Sequence, residues 1–255
     1  MIELLAVVVG WIILISATKS IGDAVRAKMS VGIVKFEGIE TNFNIENPHD
    51  HIQQFHSRGE FYEIRQLLAH RDLMARKTTI LDVGANVGNH TLFYARHTKA
   101  ARVYPLEPNP VAIEILTKNL QSNPDRCAVI DLRYLGLVVG VNSGRARLDK
   151  STENNLGNTS FVRTTDNEGI RMVALDTLEF DAPVGFVKID VEGAEIDVLK
   201  GAERLIAKDR PALAVEVDRG NDPMFWGWVR AHGYQVIGAF FEYVPVKNYV
   251  LIPTA

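Results

Sequence analysis

Cysteine is nearly absent. Cys127 is the only one in 255 residues, so no intrachain disulfide and no cysteine-rich zinc site can form. A single thiol is compatible with a reducing compartment. An excess of positive charge is also lacking. Lys and Arg number 28 against 31 Asp and Glu, a net charge of -3, which argues against a protein that holds nucleic acid by bulk charge. There is no internal repeat and no low-complexity tract. What is present is an ordinary globular mixture. Hydrophobic residues make up 47% and charged residues 23%, enough to bury a core. The length fits one large domain or two small ones.

Residues 4–18 (LLAVVVGWIILISAT) carry no charge. As a helix they would span about 22 Å, short of the roughly 30 Å hydrocarbon core, with bilayer thinning or snorkelling by Lys19 closing the gap. A secretory signal would carry Lys or Arg before the run, where Glu3 stands instead. Lys19, Arg26 and Lys28 follow it, so the remainder would stay on the cytoplasmic side. The expectation is a membrane-anchoring helix within residues 1–29, with a catalytic domain over 30–255. Within that domain, 30–77 would form a lid or helical region and 78–255 the core. Residues 30–60 are mixed and polar, and a helix is expected over 61–75.

From residue 78 the pattern alternates. Strands are expected at 79–83, 101–106, 128–134, 185–190 and 211–217, and helices at 89–97, 109–120, 191–199 and 224–231. Asn109 suits a helix cap and Pro110 the first helical turn. Gly201 suits a C-terminal cap. Residues 140–169 read as loop with short strands, and 234–239 with 249–252 as a hairpin forming an antiparallel edge. Such alternation predicts an α/β protein: a mostly parallel sheet with helices on both faces and a ligand beyond the C-terminal strand ends.

Three segments carry chemistry there. Asp82-Val83-Gly84-Ala85-Asn86-Val87-Gly88 links a strand to a helix, where glycine lets backbone approach a ligand. Glu107 ends the next strand, where a carboxylate can accept hydrogen bonds from vicinal ribose hydroxyls. Counting from Gly84, the second and third glycines of the dinucleotide fingerprint fall on Asn86 and Asn89, and no phosphate-binding G-x-x-x-x-G-K-[ST] motif exists. A nicotinamide oxidoreductase is therefore disfavoured. Asp82 would repel a pyrophosphate and suit an ammonium group. S-adenosylmethionine offers the required ribose, carboxylate and ammonium together.

The third segment is Lys188-Ile189-Asp190-Val191-Glu192-Gly193-Ala194-Glu195. It aims Asp190 at the crevice, with Glu192 in the turn and Lys188 on the face of Asp190. Glu216 ends the neighbouring strand. Asp190 is the first candidate base, Glu192 the second and Glu216 the third. Lys188 would orient or neutralise Asp190. A metal is not expected: Asp190 and Asp218 could hold one, but Arg219 stands where a ligand would help. His49, His51 and His56 match no zinc spacing and read as ordinary loop histidines. Cys127 reads as a buried small hydrophobe. Trp226, Trp228, Phe240 and Tyr243 could serve either the core or an acceptor pocket.

DVGANVGNHT, LEPNP, VALDTL and VKIDVEGAE together resemble the FkbM family of S-adenosylmethionine-dependent methyltransferases, over residues 61–218. The resemblance implies a Rossmann-like class I fold, a seven-stranded sheet with an antiparallel last strand. It also implies methyl transfer, commonly to a hydroxyl of a sugar, glycan or small natural product. It assigns Asp82, Gly84, Asn86, Gly88 and Glu107 to the cofactor, with Tyr62 and Glu63 as an aromatic-acid pair closing over it. The family's turn after the third strand stands here as Leu135-Gly136-Leu137-Val138. The competing expectation is a non-catalytic cofactor-binding module tethered to a membrane, which would need no base.

Overall fold

The computed structural model describes residues 30–74, 77–125, 127–152, 154–165, 167–241 and 246–254. The apolar run at 4–18 and Tyr243 lie outside these. Among the described residues, no helix is long and apolar enough to cross a membrane.

The first described segment is a hairpin that the sequence reading did not contain. Strands β1 (Ser30–Phe36) and β2 (Ile39–Ile45) pair antiparallel. Their connection, Glu37-Gly38, has φ of 48° and 77°, as a tight hairpin turn of this twist requires. Helix α1 (His51–Ser57) follows, capped by Asp50, whose Oδ1 accepts from the Gln53 N–H at 3.0 Å. Helix α2 (Ile64–Leu73) falls inside the expected 61–75.

The expected alternation then runs as β3 (Thr78–Val83), α3 (Asn89–His97), β4 (Ala100–Leu106) and α4 (Pro110–Gln121). Asn109 caps α4 and Pro110 occupies its first turn, as read from sequence. Next come β5 (Val138–Val139), β6 (Gly144–Thr152), β7 (Asn155–Thr164) and β8 (Ile170–Val173). The chain continues with β9 (Val184–Ile189), α5 (Glu195–Lys200), α6 (Glu203–Asp209), β10 (Ala212–Asp218), α7 (Asp222–Ala231), β11 (Tyr234–Phe240) and β12 (Val246–Pro253).

The central sheet has the order β11-β12-β10-β9-β3-β4. Strands β4, β3, β9 and β10 are parallel neighbours. Strand β12 runs antiparallel to both β10 and β11, so it alone is reversed. This is the Rossmann-like α/β architecture with an antiparallel last strand. Two details differ from expectation. The strand expected at 128–134 is reduced to a single bridge, Ile130 with Val103, after a 3-10 turn at Cys127–Val129. There the Asp131 carboxylate accepts from the Arg133 N–H at 3.1 Å, a local turn that competes with a ladder. The reversed strand is also not an edge. Tyr249, Val250 and Leu251 of β12 are buried, and β12 lies inside the sheet. In β11, Ile237 is 50% exposed and burial alternates, which suits an edge.

Apolar clusters cover both faces. Leu81, Val187, Leu213 and Val215 pack with α5 to α7 on one side. Ile80, Phe186 and Ala214 pack with α3 and the hairpin on the other. Trp226 and Trp228 join the first of these, so neither walls the cavity. Gly201 follows α5, but its φ is −76°, so left-handed freedom is not its use. A Cβ there would lie 2.2 Å from the Gly140 carbonyl oxygen, and packing demands the glycine.

Candidate active site

The strand ends of β3, β4, β9 and β10 open on a cavity of about 460 Å³. Its floor begins at the turn after β3. Gly84 has φ 82°, and a Cβ there would sit 1.7 Å from the Asp190 carbonyl oxygen. The turn thus lies directly against the end of β9. Asn86 holds φ 49°, left-handed for a non-glycine, and the Gly84 and Ala85 amides both donate to the Leu106 carbonyl. Gly88 (φ 87°) caps α3 beside Leu116 and does not line the cavity.

Glu107 is fixed from two sides. Its Oε2 accepts from the Asn86 N–H and its Oε1 from the Asn109 N–H, both at 2.8 Å. Burial pushes its carboxyl up to about 7 against these two bonds. The carboxylate borders the cavity with its remaining lone pairs.

Behind the turn lies a buried ionic cluster. Lys188 donates to the Gly84 carbonyl at 2.8 Å and lies 3.0 Å from Asp190 and 3.6 Å from Asp82. Burial would lower its affinity for a proton, but Asp190 and Asp82 outweigh that and raise it. Asp82 is raised as well, chiefly by burial. The two directions are compatible because Asp190 is the closer counter-ion. Asp82, which the sequence reading gave to the cofactor, accepts from the Thr91 hydroxyl at 2.5 Å and does not line the cavity. Glu63 has φ 57° and is buried, with Gln66 at 2.9 Å and His90 at 3.6 Å. It too lies off the cavity wall, while Tyr62 is on it. Asn89 holds Tyr62 by its backbone, accepting from the N–H and donating to the carbonyl at 3.0 Å each.

Opposite the glycine turn, Asp190, Glu192 and Glu216 bring carboxylate oxygens within 4.8 Å of one another, the one such group with metal-ligating geometry among the described residues. Asp218 borders the cavity but is not in the group. Burial, then Asp190, push Glu192 up to about 7 and Glu216 to about 9. Asn248 donates to Glu216 at 3.0 Å. Glu195 is not a cavity residue: its Oε1 accepts from the Asp218 N–H and the Asn221 amide, both at 2.9 Å.

His51 borders the cavity, whereas His56 is buried and stacked on Phe43 at 3.7 Å, so the loop histidines form no cluster. Cys127 is half-buried. Sequence reasoning missed the wall built by β6 and β7: Lys150, Asn155, Asn158, Thr159 and Phe161. Their polar composition resembled loop, and no local motif marked them.

These acids give a pH signature. Glu107, Glu192 and Glu216 hold protons in the fold that the unfolded chain releases near 4.5, so stability falls as pH rises through the window up to about 9. Buried His56 and His70, depressed to about 4 and about 3, act oppositely and cost stability as pH drops below 6.5. The cofactor-free protein should unfold at a lower temperature at pH 9 than at pH 6.5. A higher melting temperature at pH 9 would contradict this picture.

The site agrees with the comparisons. The methyltransferase FkbM domain model matches residues 82–236. Hexuronic acid methyltransferase AglP of Haloferax volcanii is 32% identical over 203 residues, covering 78% of each chain. Methyltransferase sdnD of Sordaria araneosa is 31% identical over 169 residues, 59% of this chain and 63% of its own. The crystal structure of methyltransferase FkbM from Methylobacillus flagellatus superposes with a TM-score of 0.51 at 21% identity, over 68% of this chain and 43% of that one, a likeness of fold. The matched region runs from the end of β3 into β11 and takes in the glycine turn, Glu107 and the strand-end acids alike: the chain belongs to the FkbM methyltransferase family.

Proposed function

We propose that the protein transfers the methyl group of S-adenosylmethionine to a hydroxyl of a sugar or glycan. The observation that carries this is Glu107, a carboxylate locked by two backbone amides at the cavity edge, beside a turn that has Asn86 and Asn89 where a pyrophosphate-binding loop has its second and third glycines. The cavity volume suits a nucleoside-sized ligand. Glu107 would accept from the ribose hydroxyls, Leu137 and Val138 would flank the adenine, and Tyr62 would cover the cofactor. Gly84 and Asn86 form the turn beneath it. Asp82, Gly88 and Glu63 support that turn from behind rather than touching the ligand.

S-adenosylmethionine, when bound, supplies an already activated methyl group. The chain's share is alignment of donor and acceptor, and removal of a proton from the acceptor hydroxyl. Asp190 is the base in this reading, because it borders the cavity at the end of β9, with Lys188 3.0 Å away to fix its carboxylate. Glu216, which retains a proton more readily, would donate a hydrogen bond to the acceptor, and Glu192 would complete the rim. The sugar class is supported by the relative that acts on hexuronic acid. The membrane tether expected of residues 4–18 belongs to the same reading, and would bring the domain to lipid-linked acceptors; its support is the uncharged run itself.

Calorimetric titration with S-adenosylmethionine tests the reading. Glu107→Ala should weaken binding about a hundredfold, the worth of two charge-assisted hydrogen bonds. Asp190→Asn should keep affinity within about threefold while turnover of a hexuronic acid acceptor drops about a hundredfold. Unchanged turnover would remove Asp190 from its role.

A further inference from the structure

Two lysines border the cavity, and only one is committed. Lys188 is buried and spent on Asp190, Asp82 and the Gly84 carbonyl. Lys150 stands on β6 at the exposed side of the cavity, with no ion-pair partner among the described residues. Its charge reaches across to Glu192. Around it are groups suited to a polyhydroxylated ligand. Asn155, Asn158 and Thr159 offer amides and a hydroxyl, and the rings of His51 and Phe161 offer flat apolar faces.

The acids opposite do not make this mouth hostile to an anion. Asp190 is balanced by Lys188, and Glu192 and Glu216 are held toward their neutral forms by burial. That leaves Lys150, among the described residues, as the exposed lysine of the cavity rim that makes no ion pair, with Glu192 the acid its charge reaches. An ammonium in that place gains less from a neutral hydroxyl than from an anion. It gains most from a carboxylate or phosphate.

We infer that Lys150 binds an anionic group of the acceptor, so that the substrate is an acidic sugar rather than a neutral one. This rests on the methyltransferase reading above. A carboxylate and a phosphate present the same chemistry to the ammonium. The transfer step itself is unaltered: the acceptor oxygen bonds the methyl carbon, the sulfur–carbon bond breaks, and the hydroxyl proton passes to Asp190.

The full-length protein, Lys150→Ala and Lys150→Arg are compared on three acceptors: a hexuronic acid, the matching neutral hexose and a hexose phosphate. The expected result is that wild type prefers an anionic acceptor over the neutral hexose by at least about tenfold in kcat/KM. Whichever anion is better used names the source. Lys150→Ala should raise KM for that acceptor about tenfold with kcat little changed, and Lys150→Arg should recover most of it. Added salt should raise the wild-type KM for the anion and leave that of Lys150→Ala flat. S-adenosylmethionine affinity, measured alongside, should be the same in all three proteins. Preference for the neutral hexose, or an equal loss on all acceptors in Lys150→Ala, overturns the inference and leaves the methyltransferase reading standing. If S-adenosylmethionine binds and no sugar is methylated, the sugar reading fails and the inference with it. If S-adenosylmethionine does not bind the wild type, the cofactor reading fails first.

Discussion

Gly84→Ala should cost about 4 kcal/mol of stability and abolish S-adenosylmethionine binding. Two penalties combine. A left-handed backbone at φ 82° costs an L-residue about 1 kcal/mol. The added Cβ would also lie 1.7 Å from the Asp190 carbonyl oxygen. The Asp190 N–H is bonded to the Val83 carbonyl at 3.0 Å, which holds the end of β9 against the turn. Overpacking of this kind adds about 3 kcal/mol. Gly38→Ala is the natural control. Its φ is 77° and nothing stands within 4 Å, so only the conformational penalty applies. Urea denaturation of both variants separates the two causes. Equal losses would mean that the turn can draw away from β9, and that its closeness to Asp190 matters little.

Lys188→Met should be nearly as damaging, about 3–5 kcal/mol at neutral pH, because it strands buried acids without their cation. Methionine preserves most of the volume, so packing loss contributes little. The effect carries a pH signature with a definite sign. In the wild type the raised lysine contributes stability below its unfolded value of 10.5, so the cluster is insensitive to that group at pH 5–8. In the variant, Asp82 faces burial without the lysine that opposes it, and its carboxyl rises further. Stability should therefore recover as pH falls from 7 to 5 and Asp82 takes up a proton. Denaturant midpoints of variant and wild type at the two pH values measure this. A gap that stays constant would show that the lysine acts through packing or through its bond to Gly84, and not through charge.

The parts that were legible in the sequence share a physical cause. Strands β3, β9 and β10 are buried on both faces, so they are short apolar runs, and each ends in a turn or an acid that announces its C-terminal end. That is where Asp190 and Glu216 were read, and where they are. Helix α4 carried its own start signal in Asn109 and Pro110. The hairpin gave no such signal. Val31 and Ile33 are 50% and 47% exposed, while the polar Thr41 and Asn44 are buried. Asn44 is buried because Asn119 of α4 accepts from its N–H at 2.7 Å and donates to the Val87 carbonyl at 2.8 Å. The polarity that hid the strands in a region read as mixed and polar is used for docking. The surroundings of Asp82 were hidden for a related reason. A strand-end acid looks available in sequence, and only the fold discloses that Thr91 and Lys188 enclose it. The β6–β7 wall depends on contacts between segments far apart, which spacing along the chain does not encode.

The position of β12 has a consequence for how the molecule is assembled. The last strand in chain order is an interior one, hydrogen-bonded on both sides, between β10 and β11. During synthesis β10 emerges well before the strand that covers it, and until then its apolar edge, Leu213 to Val217, has no neighbour on that side. Strand β11 is worse placed, since β12 is its sole partner in the sheet. The emerging chain thus carries an open β10 edge that β12 fills. Until it does, other extended segments can compete for the same edge. The reversed strand that marks the fold is also its closing step, and a chain halted before residue 246 would lack both the interior of its sheet and the Asn248 amide that holds Glu216.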